Sequence, residues 1–131
     1  MNRRFVALMI PVLLACACSA SSAHRVDATD KSNGGTVELR RGQELTVDLS
    51  STYWQFQSSS DSKVLRLEGQ PKVSPSSSGC VPGQGCGTAT ATFLAVAAGT
   101  ATVTATRSSC GEALRCTGAN GRFSLRVIVR P

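Results

Sequence analysis

Six cysteines and one histidine are the residues of this 131-residue chain best equipped for chemistry, and their spacing sorts them into groups with different uses. Cys16 directly follows Leu13-Leu14-Ala15, with Cys18 two residues on, whereas Cys80/Cys86 and Cys110/Cys116 form two C-x5-C loops far downstream. His24 stands alone, remote in sequence from the later cysteines, serines and carboxylates, so neither a Ser-His-Asp nor a Cys-His arrangement can be assembled. The carboxylates Glu38, Glu44, Asp48, Asp61, Glu68 and Glu112 are scattered over separate segments and offer no acid/base pair. Structural zinc sites prefer closer cysteines than x5, and Gly83-Gln84-Gly85 is followed by no helix that could cradle a phosphate. The chain therefore reads as a non-enzyme with no metal and no cofactor.

The chemistry that remains is covalent and structural. Asn2-Arg3-Arg4 is a basic leader to the apolar run Phe5 to Ala15, which Pro11 interrupts and which is far shorter than the ~20 residues that span a bilayer. Residues 1–15 thus read as a secretory signal. Leu-Leu-Ala-Cys at its end reads as a bacterial lipobox, with the Cys16 thiol taking the lipid. The alternative is cleavage after Ser21-Ser22-Ala23, which releases a secreted protein from His24. Cleavage before Cys16 removes Arg3 and Arg4 from a formal net charge of +6 and leaves the remainder mildly basic. With aromatics at 5% and no dense basic cluster interleaved with them, that charge does not suggest nucleic acid. In an exported chain, the four downstream cysteines read as two disulfides. Local closure, Cys80 to Cys86 and Cys110 to Cys116, is favoured because each pair is close in sequence and flanked by glycine; Cys86 to Cys110 remains the open alternative.

The elements that must hold those loops are strands. Thr88 to Val96 and Thr100 to Thr106 alternate β-branched and small residues and reverse at Ala98-Gly99, so both cysteine loops return to one end of the fold. Val37, Leu39, Leu45, Val47 and Leu49 alternate inward around a turn at Arg40 to Gln43, Trp54 and Phe56 do the same in the next run, and Val64 to Leu67 forms another. Phe123, Leu125, Val127 and Val129 alternate with Arg122, Ser124, Arg126 and Arg130. Residues 70–87 read as irregular, and residues 16–35, poor in large apolar side chains, as a flexible tether. About seven short strands and no amphipathic helix predict an all-β, immunoglobulin-like antiparallel β-sandwich over residues 36–131.

In order and spacing, Gly87-Thr88, the strand around Phe93, Ala98-Gly99-Thr100, the alternating Ala101, Val103 and Ala105, and Arg122-Phe123 resemble the chagasin-like inhibitors of cysteine peptidases. The resemblance covers Val37 to Val129. It implies a sandwich whose three same-end loops enter a papain-like active-site cleft. Where that family has NPTTGY, this chain has the shorter Ser50-Ser51-Thr52-Tyr53; its GxGG loop is approximated by Gly83-Gln84-Gly85-Cys86-Gly87; its RPW loop is replaced by Ser108-Ser109-Cys110-Gly111. The partner-binding residues expected on this basis are Ser51, Thr52 and Tyr53 in the first loop, Gly83, Gln84 and Gly85 in the second, and Ser109, Gly111, Glu112, Leu114 and Arg115 in the third. Tyr53 is expected to be free for contact. The reading is a monomeric, extracytoplasmic lipoprotein that binds a protein partner, such as a papain-like cysteine peptidase, and meets the membrane through its lipid. The competing reading is a cell-envelope structural or adhesive module whose Arg122, Arg126 and Arg130 bind an anionic polymer.

Overall fold

Alternation of large and small apolar residues across paired strands shapes the core. In the computed structural model, which describes residues 24–131, strands β3 (Glu44–Ser50) and β6 (Gly87–Ala95) are antiparallel neighbours. Their register sets Val47 beside Ala91 and Leu49 beside Ala89. In the facing sheet β7 (Gly99–Thr106) and β10 (Arg122–Arg130) repeat the device, with Phe123 beside Ala105 and Val127 beside Ala101. Small residues opposite large ones let the two inner faces interlock. Phe93, Leu45, Leu49, Leu65, Phe123, Leu125 and Val103 are all buried there. No polar or charged residue among those described is buried.

The remaining strands complete two four-stranded sheets. One has the order β1-β3-β6-β5, with β1 at Arg25–Thr29 and β5 at Leu65–Pro75; the other is β2-β10-β7-β4, with β2 at Thr36–Arg40 and β4 at Gln55–Phe56. A two-stranded ribbon, β8 (Ser109–Gly111) and β9 (Leu114–Arg115), projects from one end. The expected all-β, immunoglobulin-like sandwich is the fold observed. Successive β6 and β7 lie in opposite sheets, so the chain crosses between them at Gly99. There φ is +150°, and a Cβ would come within 2.7 Å of a Val64 methyl, which leaves room only for glycine.

Two expectations are corrected. Part of the segment read as a flexible tether is folded: Arg25–Thr29 is an edge strand running parallel to β3, with Ala28 buried against the core. The fold thus includes Arg25–Thr29, ahead of the expected start at residue 36. Residues 30–35 then cross to the other sheet, held by Asp30, whose carboxylate accepts from the Ser50 N–H (2.9 Å), and by Asn33. The Asn33 side chain donates to the Arg122 carbonyl (2.9 Å) and accepts from the Ser124 N–H (2.9 Å). Second, Gln70 to Pro75 is not irregular but prolongs β5, which resumes its pairing with β6 after a register shift between Glu68 and Lys72. Pro71 falls within that shift, on an edge strand, where a missing N–H is tolerated. The signal segment, Cys16 and Cys18 lie outside the described residues.

The strand directions define two ends. β3 starts at Glu44, the partner of Arg25, and finishes at Ser50, the partner of Thr88. The chain consequently enters the sandwich at one end, while the segments after β3, before β6 and after β7 gather at the other.

Candidate functional site

Three loops meet at the end remote from Arg25. The first, residues 51–54, is fastened by its backbone to the second: Ser51 N–H donates to the Gly87 carbonyl (2.8 Å) and Thr52 N–H to that of Gly85 (2.9 Å). Ser51 takes φ +116°, an unusual conformation for a residue with a side chain, and its hydroxyl accepts from the Tyr53 N–H (3.2 Å). Tyr53 is not free, as expected, but half-buried. Its ring lies over Gly85, whose φ is +65° and where a Cβ would come within 2.4 Å of the ring. Glycine at 85 thus serves the packing of two loops against each other rather than chain reversal alone.

The second loop is closed by a Cys80–Cys86 disulfide and the third by Cys110–Cys116. This is the locally closed pairing favoured from the sequence. Within the second loop Gln84 exchanges two hydrogen bonds with Val81: the Val81 N–H donates to Gln84 Oε1 (3.2 Å) and the Gln84 N–H to the Val81 carbonyl (3.2 Å). In the third, the β8–β9 ribbon is reinforced by Cys116 N–H donating to the Ser108 carbonyl (2.9 Å). The two disulfide loops touch at Gly83 and Glu112, where a Cβ on Gly83 would lie 3.7 Å from Glu112 Cβ. Four disulfide sulfurs and a dense set of backbone bonds give this end a preformed shape.

The residue that ties the first loop to the third is one the sequence reading missed. Arg107 follows directly on β7, and its guanidinium sits 4.5 Å above the centre of the Trp54 ring. Its Nε donates to the Asn120 carbonyl (2.7 Å), and its backbone N–H to that of Gly121 (3.0 Å). Trp54 itself is only 5% exposed, with its indole N–H donating to the Ser50 carbonyl (3.1 Å). Tyr53, Gln55, Thr106, Arg107 and Ser108 line a groove of about 250 Å³ between these two loops.

Gly83, Gln84, Glu112, Leu114 and Arg115 are exposed at this end, whereas Ser51, Thr52, Gly85, Ser109 and Gly111 are half-buried supports. Leu114 is 60% exposed and Val81 50%; with Val73 on β5 they are the large apolar residues left exposed among those described. Val81 was not among the expected contact residues. Its signal was available in the sequence, as a lone branched apolar side chain between Cys80 and Pro82 in an otherwise polar loop.

No group of three or more His, Cys, Asp or Glu among the described residues could hold a metal ion. The four cysteines described are all in disulfides, and His24 is exposed at the entry end. One carboxyl is perturbed: Glu38, in the middle of β2, is lowered below its ordinary 4.5 by a hydrogen bond from Arg130 Nη2 (2.7 Å), helped by the same guanidinium's charge. That pair is exposed and distant from the loops.

The sandwich is similar in fold to solved structures, one of which is a cysteine protease inhibitor. The crystal structure of the cysteine protease inhibitor EhICP2 from Entamoeba histolytica superposes with a TM-score of 0.55 at 13% identity, over 81% of this chain and 95% of that one. The solution structure of amebosin gives 0.53 at 16% identity, over 82% and 99%. At such identities the likeness is one of fold, and at that level it agrees with the chagasin-like resemblance of the sequence. No protein-family model and no curated protein matches the chain.

Proposed function

We propose that this protein is an exported, membrane-anchored inhibitor that occludes the active-site cleft of a papain-like cysteine peptidase with its three-loop end. The observation that carries the reading is the convergence of three mutually braced loops, two closed by their own disulfides, with Val81 and Leu114 held exposed at their tips. Rigid loops bind without the entropy loss of ordering on contact, and exposed branched side chains on a rigid support are suited to entering a partner's apolar pockets. Ser51, Thr52, Gly85, Ser109 and Gly111 support the surface; Gly83, Gln84, Glu112, Leu114 and Arg115 meet the partner. Inhibition is non-covalent, by exclusion of substrate. Two disulfides suit an oxidising compartment. Acylation of Cys16 attaches the chain to the membrane, and entry of the chain at Arg25 leaves the loops facing away from that attachment.

The test is inhibition kinetics with papain as probe. Increasing concentrations of the full chain, purified in detergent, should inhibit competitively with a small peptide substrate, and papain whose active-site thiol has been blocked by a covalent peptidyl ligand should fail to bind. Absence of inhibition of papain and of a panel of papain-like enzymes, or equal binding to the blocked enzyme, would remove the proposal.

A further inference from the structure

The two sheets carry different charge. Strands β2, β4, β7 and β10 contain Arg40, Arg122, Arg126 and Arg130 against a single carboxylate, Glu38. Strands β1, β3, β5 and β6 contain Asp27, Glu44, Asp48 and Glu68 against Arg25, Arg66 and Lys72. All four arginines of the first sheet are exposed. Arg122, Arg126 and Arg130 follow one another every four residues along β10, about 13 Å apart. Because β10 lies between β2 and β7, this line runs down the interior of the sheet rather than along its edge. Edge protection therefore does not account for it.

Beside the arginines stands a row of hydroxyls. The register places Thr106, Thr104, Thr102 and Thr100 of β7 directly opposite Arg122, Ser124, Arg126 and Ile128. On the other side Thr36 is the partner of Arg126, and Arg40 that of Arg130. Arg130 is engaged by Glu38, while no ion pair is formed by Arg40, Arg122 or Arg126 among the described residues. A line of guanidinium groups, interrupted by Ile128 and flanked by the hydroxyl row of β7, matches a linear polymer that carries both anionic groups and hydroxyls.

We infer that the outer face of β2–β10–β7 binds a linear anionic polysaccharide along β10, independently of the loop end. Two other polyanions fit less well. A bilayer favours apolar side chains for insertion, and the exposed large apolar residues Val73, Val81 and Leu114 all lie off this sheet. Single-stranded nucleic acid favours aromatic stacking platforms, and the aromatic residues of these strands, Phe56 and Phe123, point into the core.

Charge-matched variants separate a face from a net-charge effect. The full chain in detergent is measured against immobilised heparin at several salt concentrations, beside Arg122→Ser/Arg126→Ser and, as the matched control, Arg25→Ser/Arg66→Ser on the other sheet. A basic residue at an anionic surface is worth about fivefold in affinity, so the first pair should weaken binding roughly 10–30-fold and the control less than twofold. Thr104→Glu, which sets a carboxylate between Arg122 and Arg126, should weaken binding by a similar factor without removing any arginine, and thermal melting checks that each variant is folded. Equal losses in the two double variants would overturn the inference, as would no retention of the wild-type chain at low salt. Stronger binding to phosphatidylglycerol vesicles or to single-stranded DNA than to heparin would overturn it as well. Papain inhibition should be unchanged by Arg122→Ser/Arg126→Ser.

Discussion

Leu114 and Val81 offer the sharpest test of how the loop end works. Burying a Leu or Val side chain contributes about 1.5–3 kcal/mol, and Leu114 is 60% exposed, so its docking in a partner pocket would recover roughly 1–2 kcal/mol. Leu114→Ala removes most of that apolar surface and should raise the papain inhibition constant roughly 5–20-fold. Val81, smaller and 50% exposed, should cost about 3–10-fold on truncation to alanine. Both side chains already face solvent in the free protein, so the midpoint of thermal unfolding should stay within about 2 °C. Val73→Ala is the internal comparison, because Val73 is 52% exposed but lies on β5 outside the loops; it should leave inhibition intact. Substrate-competition kinetics on the four proteins gives the constants directly. If Val73→Ala weakened inhibition as much as Leu114→Ala, exposure alone, and not position at the loop end, would explain the losses. If neither loop substitution changed the constant, the apolar tips would not be the contact.

The scaffold behind the tips makes further predictions. Opening the second loop with Cys80→Ala/Cys86→Ala should destabilise by about 2 kcal/mol in the chain-entropy view of a short closed loop, read from denaturant unfolding; an unchanged midpoint would show that the backbone bonds alone hold it. Arg107→Ala removes the guanidinium from Trp54 and leaves the Asn120 carbonyl without its donor, and should cost about 1–2 kcal/mol, with a change in Trp54 fluorescence to report separation of the first and third loops. Glu38 has a lowered folded-state pKa, so its interaction with Arg130 is fully present above its ordinary 4.5 and is lost as pH falls through the lowered value. A carboxyl NMR titration should find the Glu38 midpoint below 4.5, and in the Arg130→Ser variant moved back up; a wild-type midpoint at or above 4.5 contradicts the pair. Cys16→Ser should move the protein from the membrane fraction to the medium, and unchanged fractionation would count against acylation at that residue.

Parity made most of the strands legible. Leu45, Val47 and Leu49, or Phe123, Leu125, Val127 and Val129, alternate with polar neighbours, and a period of two leaves one arrangement that buries them all. β1 escaped because Val26 and Ala28 alone are too little apolar surface to signal a strand. What holds β1 is the parallel ladder offered by β3, a partner distant in sequence. The second half of β5 was hidden by Pro71 and Pro75, which discourage strand assignment in general but are compatible with an unpaired edge and a register shift. At the loop end, the C-x5-C spacing announced the two closures. Arg107 carried no local pattern, since its role exists only once Trp54, 53 residues earlier, has been brought beneath it by the fold.

The extra strand also alters the reach of any anchor. Residues 16–35 fully extended would span roughly 60–70 Å, but with Arg25 already in β1 only about nine residues, at most roughly 30 Å of chain, separate Cys16 from that strand. Entry at Arg25 lies at the Glu44 end of β3, and the loops lie beyond its Ser50 end, about 20 Å further along a strand of seven residues. Acylation at Cys16, as proposed, would therefore hold the sandwich close to the bilayer with its loops pointing outward, the disposition that the proposed cleft occlusion requires. Had β1 run antiparallel to β3 instead, the same short leader would have brought the loop end toward the membrane.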